Sequence, residues 1–126
     1  MKRLFVICNE GMHPIRPLLE KQYNFNEETD EYLVVTEGNV ELSREALKKT
    51  IVELREKLLD VVGKRGYPDE VYFVNSGLPL YAFAIYIFVT QFFSKHPVFL
   101  QFDRESSQYL EFKLDPREIL FGEGGE

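Results

Sequence analysis

Asn75-Ser76-Gly77 is the triplet with the best physical case for chemistry. It stands between a buried, strand-like run, Val71–Val74, and an apolar stretch that opens at Leu78. A glycine there permits a tight turn and a close approach of ligand to backbone. The first amides of a following helix, together with its dipole, attract phosphate. Ser76, Gly77 and Leu78 are therefore candidates to hold a phosphate or ribose, with Asn75 orienting it. The other reading is that Ser76 caps the helix and Gly77 only satisfies a backbone angle. No lysine follows the glycine and there is no G-x-G-x-x-G, so neither the P-loop nor the dinucleotide fingerprint is present.

His13 is one of two histidines. It falls in the loop Asn9–Pro14, where an imidazole could act as general acid or base on a ligand, or could sit idle. Asn9, Glu10 and Gly11 share that loop. His96 precedes Pro97 at the far end of the apolar stretch and reads as a cation on a helix carboxyl end. Cys8 closes a buried strand and reads as a small hydrophobe rather than a nucleophile. Glu27, Glu28, Asp30 and Glu31 read as a solvated acidic loop. No spacing matches a zinc site, and no Ser-His-Asp series stands out. Neither a metal nor a cofactor is expected.

The elements that must position these residues follow from hydrophobic pattern. Lys2–Cys8 is an apolar run suited to a central parallel strand. Pro17 fits the first turn of a short helix over Ile15–Tyr23. Glu31–Thr36 is a second strand. Ser43 caps a helix whose apolar face is Leu47, Ile51, Leu54, Leu58 and Val61, ending at Gly63 or Gly66. Glu45–Lys49 and Glu53–Lys57 are spaced as ion pairs on its wet side. Glu70–Asn75 is the third strand and Val98–Phe102 the fourth. Between them lies a helix apolar on all sides. One of its stripes (Tyr81, Ile85, Phe88, Phe92) or the other (Ala82, Tyr86, Val89, Phe93) is expected on the sheet, and the remaining one against a neighbour. Tyr109–Leu114 alternates, with Leu110, Phe112 and Leu114 on one side, as in a half-exposed edge strand.

The order βαβαβαββ implies an α/β fold. It is a Rossmann-like three-layer sandwich with a mostly parallel sheet and an antiparallel edge strand at the C-terminus. A single domain is expected over 1–121 and a disordered tail over 122–126. Parallel α/β sheets bind ligands at the carboxyl ends of their strands. That rim gathers the Cys8–His13 loop, Thr36–Asn39, Asn75–Gly77 and Gln101–Arg104, so Gln101 and Arg104 join the candidate ligand contacts.

The 126 residues carry a formal net charge of −6, which argues against a duplex-DNA surface. The opening basic pair is followed by only about five apolar residues, too few for a signal peptide. The apolar stretch from Leu78 is shorter than the roughly 20 residues that span a bilayer. With one cysteine, a cytoplasmic protein that does not span a membrane is expected.

The opening strand with its His13-Pro14 loop, the run FVNSGLPLYAFAIYIF and the hairpin carrying Gln108-Tyr109 resemble the small CARF-type (CRISPR-associated Rossmann fold) proteins read as cyclic-oligoadenylate ring nucleases. The likeness covers the βα order of most of the chain. It implies a homodimer with its ligand pocket across the two-fold axis, and metal-independent cleavage by a ribose 2′-hydroxyl that leaves a 2′,3′-cyclic phosphate. On this chain it implies His13 as general acid or base and Ser76–Gly77 polarising the phosphate. Asn9, Asn75 and Gln101 would orient ribose or base. The chain departs from the pattern in basic residues: only Arg16 and Arg104 lie near the rim, opposed by Glu10 and Glu37. Three other readings are open: a sensor or sink that binds the ring without cleaving it, a protein-interaction module, and a flavodoxin-like FMN protein.

Overall fold

The structure is a computed structural model that describes residues 1–122. The elements run β1 (Arg3–Glu10), α1 (Ile15–Tyr23), β2 (Asp30–Glu37), α2 (Arg44–Arg65), β3 (Glu70–Val74), α3 (Pro79–Phe93), β4 (Val98–Asp103), β5 (Gln108–Lys113) and α4 (Pro116–Phe121). The sheet order is β2-β1-β3-β4-β5, parallel except for the antiparallel β4–β5 pair. This is the expected α/β, Rossmann-like sandwich. The tail expected to be disordered lies, apart from Gly122, outside the described residues.

Connection handedness sets the layers. From β1 the chain steps one way to β2, then crosses back over β1 to β3 and continues to β4. Right-handed crossovers then require α1 on one face and α2 with α3 on the other. The two cores agree with this. Leu4, Val6, Cys8, Val71 and Phe73 meet Leu54 and Leu58 of α2 and Tyr81, Ile85 and Val89 of α3. Phe5, Ile7, Tyr72, Val74 and Leu100 meet Ile15 and Leu19 of α1. Cys8 is fully buried, and burial pushes its thiol up to about 12.

Ser43 caps α2 by accepting from the Ala46 amide at 3.1 Å, and the helix runs on through Gly63 to end at Gly66. The spaced ion pairs of α2 do not form among the described residues. Lys57 instead reaches back to the Val34 carbonyl at 2.9 Å, and the i,i+4 pair is Asp60–Lys64 at 3.2 Å. A carbonyl at the sheet margin and a carboxylate both compete for these flexible ammonium groups, and exposed pairs are weak.

Three further expectations are corrected. In α3 neither stripe stays out: Tyr81, Ile85, Ala82 and Val89 are all buried, and the exposed line is Leu80, Phe83 and Ile87. In β5 the covered side is that of Tyr109, under α1, whereas Leu110 and Phe112 face outward beyond the edge of α3. The acidic loop is not wholly solvated. Asp30 is buried and takes both a 3.0 Å and a 2.7 Å bond from the Arg3 guanidinium.

The helix α4 was not anticipated. Its signals are local: Asp115 accepts from the Arg117 amide at 2.9 Å, and Pro116 occupies the first turn. Among the described residues no helix is long and apolar enough to cross a membrane.

Candidate functional site

The chain connections leave β1 and β3 toward opposite sides of the sheet, the switch point at which α/β sheets carry their ligand crevice. A cleft of about 430 Å³ occupies that position, lined by residues from all three parallel carboxyl ends that flank it: the Asn9–His13 loop, Asn75–Gly77, and Gln101, Phe102 and Arg104. Of the residues singled out in the sequence, Asn9, Gly11, His13, Asn75, Ser76, Gly77, Gln101 and Arg104 line it. Glu10 and Leu78 do not. Glu10 turns to Arg16, which donates to it at 2.6 and 3.0 Å, so this carboxylate and this guanidinium neutralise each other. Leu78 is the residue before α3, with its side chain partly exposed.

The base of the cleft is a polar stitch. The Ser76 hydroxyl accepts from the Asn9 amide at 2.8 Å and donates to the Asn9 carbonyl at 2.7 Å. It thus serves as a one-residue extension of the β1–β3 pairing, and it does not cap α3, which has no side-chain cap. The cap expected of Ser76 is therefore corrected, and its hydroxyl proton is committed to backbone. Asn9 also donates its side-chain amide to Thr36 Oγ1 and to the Gly38 carbonyl, each at 2.9 Å, tying β1 to the end of β2. Gly77 adopts φ +79°, and a Cβ there would stand 2.6 Å from the Asn9 Cβ. The close approach that requires this glycine is therefore to Asn9.

Above the stitch, Asn75 donates to Gln101 Oε1 at 2.7 Å, pairing the ends of β3 and β4. The amides of residues 76–78 and of Leu80 and Tyr81 find no acceptor among the described residues and lie at the open end of α3. Arg104 is exposed and forms no ion pair among the described residues, so it is the cation left for an anion.

The opposite wall is aromatic. The His13 ring packs edge-on to Phe102 at 4.5 Å between centroids and lies 6.4 Å from Tyr109, while Phe102 and Tyr109 are 5.3 Å apart. His13 makes no side-chain hydrogen bond among the described residues. Met12 and Phe102, in segments expected at the rim but given no role there, also line the cleft, and sequence reasoning missed Ile15 and Tyr109 as lining residues. Phe102 and Tyr109 had a signal: they are neighbours across the β4–β5 hairpin at the rim.

A smaller cleft of about 200 Å³ lies at the amino ends of the strands, beside Lys2, Arg3 and Arg65. Its cations are spent within the protein. Arg65 holds Glu31 and the carbonyls of Glu27, Glu28 and Asp30, Arg3 holds Asp30, and Lys2 reaches the Arg65 carbonyl. Near the far end of α3, His96 shares a 2.9 Å hydrogen bond with the Tyr86 hydroxyl, a structural use away from the rim. No group of three or more metal-ligating side chains gathers among the described residues. Comparison with protein-family models, with curated proteins and with solved structures gave no match.

Proposed function

We propose that this protein binds cyclic oligoadenylate at the carboxyl rim of its sheet, as a cytoplasmic homodimer, and cleaves it as a metal-independent ring nuclease that ends a type III CRISPR signal. The observation that carries the reading is one pocket that brings together the His13 imidazole and the Arg104 guanidinium, neither partnered among the described residues, and the turn amides of Ser76 and Gly77, beside an aromatic wall. A phosphate would meet Arg104 and the amides of Ser76 and Gly77, and a base would lie against the rings. The ribose 2′-hydroxyl attacks the adjacent phosphorus. Its proton leaves to His13, the bond to the 5′-oxygen breaks, and that oxygen takes a proton to become a 5′-hydroxyl. The products are linear chains ending in 2′,3′-cyclic phosphate. Ser76 contributes by holding the turn, and Asn75 and Gln101 by presenting their amides.

The exposed line Leu80, Phe83 and Ile87 supports the dimer. It begins three residues after Gly77, so a partner seated on it would bring a second pocket close to the first. A non-catalytic sensor is favoured by one observation, the commitment of the Ser76 hydroxyl to Asn9. The two are separated by incubating EDTA-treated protein with cyclic tri-, tetra- and hexa-adenylate and weighing the products. Linear 2′,3′-cyclic phosphates support the nuclease. Intact ring with a raised melting temperature supports the sensor. Intact ring without a thermal shift removes both.

A further inference from the structure

The pocket holds one polar group that the reading above leaves unused. The chain has seven tyrosines. Tyr67 is exposed, and five others spend their hydroxyls within the protein: Tyr23 on Glu111, Tyr32 on the Arg16 carbonyl, Tyr72 on Glu70, Tyr81 on the Glu41 carbonyl and Tyr86 with His96. Tyr109 is the exception. It is 3% exposed, yet its hydroxyl has no partner among the described residues. Among the described residues no side-chain oxygen that is shut off from solvent lacks a partner. The hydroxyl therefore keeps some access to solvent, and Tyr109 lines the rim cleft.

The residue is also held in place from behind. Gln22 of α1 donates to the Tyr109 carbonyl at 2.7 Å and accepts from its amide at 2.8 Å, pairing with this edge-strand residue as another strand would. Burial pushes the phenol up to about 12, so at neutral pH it is a donor and not an anion. Its neighbours are the rings of Phe102 and His13. That setting suits a flat, weakly polar group, whereas a phosphate is drawn to Arg104 and the helix amides.

We propose that Tyr109 reads the nucleobase: the base lies against Phe102 and His13, and the Tyr109 hydroxyl donates a hydrogen bond to one of its ring nitrogens. Gln22 is a positioning residue that acts through Tyr109. This rests on the nucleotide reading of the pocket, and the test separates the two. Tyr109→Phe keeps the ring and removes only the oxygen, so its melting temperature should match that of the wild type. Binding of cyclic tri-, tetra- and hexa-adenylate is measured by calorimetry. For the ring that binds the wild type, Tyr109→Phe should weaken binding about fivefold to tenfold, the value of one neutral hydrogen bond. Replacing the accepting nitrogen by CH, in the 1-, 3- or 7-deaza ring, should weaken wild-type binding as much and leave Tyr109→Phe unmoved. The loss caused by Gln22→Ala should shrink in the Tyr109→Phe background. Equal binding by wild type and Tyr109→Phe overturns the base-reading role and leaves the nucleotide pocket standing. No binding of any ring by the wild type overturns both.

Discussion

The hydroxyl of Ser76 accepts from the amide of Asn9 and donates to its carbonyl, 67 residues away in sequence. A serine that could be taken for a nucleophile or a cap is thereby a fastener between β1 and the β3–α3 turn. Its removal has a defined expectation. Ser76→Ala leaves a partly buried amide and carbonyl of Asn9 without their partner, which costs about 1–3 kcal/mol. The melting temperature should fall while ring cleavage at saturating ligand, measured well below that temperature, drops less than tenfold. A loss of turnover with unchanged stability would instead return Ser76 to the chemistry.

Two glycines with positive φ separate strain from crowding. Gly38, at φ +62°, has nothing within 4 Å of a built Cβ, whereas Gly77, at φ +79°, has the Asn9 side chain at 2.6 Å. Gly38→Ala should cost only the left-handed backbone penalty, about 1–2 kcal/mol. Gly77→Ala adds displacement of Asn9, whose amide ties β1 to Thr36 and Gly38. Chemical denaturation should find Gly77→Ala the less stable of the two. Only Gly77→Ala should also weaken ligand binding.

The Arg3–Asp30 pair makes stability depend on acid pH. The Arg3 guanidinium, through its hydrogen bonds, holds the Asp30 carboxyl below the usual carboxylate range. A carboxyl depressed in the folded state contributes stability that is complete above its unfolded value, about 3.9, and is lost as pH falls through the folded value. Asp30→Asn strands a largely buried guanidinium and should cost about 3 kcal/mol at pH 7. Unfolding free energies followed downward from pH 7 should converge for the two proteins below about pH 4. A gap that stays constant to pH 2 would exclude the pair as its source.

His13 is the group whose loss should separate binding from chemistry. Its side chain is exposed, and its close aromatic partners among the described residues are Phe102 and Tyr109. His13→Ala should therefore leave the melting temperature nearly unchanged. Removal of a general acid or base lowers turnover by about 10²–10⁴. Retained binding of cyclic adenylate with lost cleavage is the expected outcome. Unchanged cleavage removes His13 from the mechanism.

Much of this arrangement was legible because it is local. The boundaries of α1 follow from Ile15, Pro17 and Leu19, and the cap of α2 from Ser43, since backbone termini and apolar period are written in adjacent residues. The rim was legible as well, because parallel strands place every β-to-α loop at one end. What the sequence hid depends on distance or on coverage. Nothing near Ser76 announces Asn9, and nothing near Tyr109 announces Gln22. Alternation in β5 distinguishes two sides but not which of them a helix covers. Tyr109 is buried, and Leu110 and Phe112 are not, because α1 lies over one side and α3 stops short of the other. The signals of α4, the Asp115 cap and Pro116 in the first turn, are local as well.

The exposed line on α3 gives the last prediction. Phe83 is 68% exposed, with Leu80 and Ile87 one turn to either side, also uncovered. Three large apolar residues in a row on a helix that starts at the pocket are an expensive surface to leave in water. If two copies cover it, Phe83→Glu places a charge on each side of the contact and leaves the core of each chain untouched. Sedimentation should find two chains for the wild type and one for the variant. The variant's unfolding should depend less on protein concentration, because association no longer adds to stability. Its binding of cyclic adenylate should fall with the loss of the second pocket, while a single-chain wild type would transfer that apolar line to a different partner.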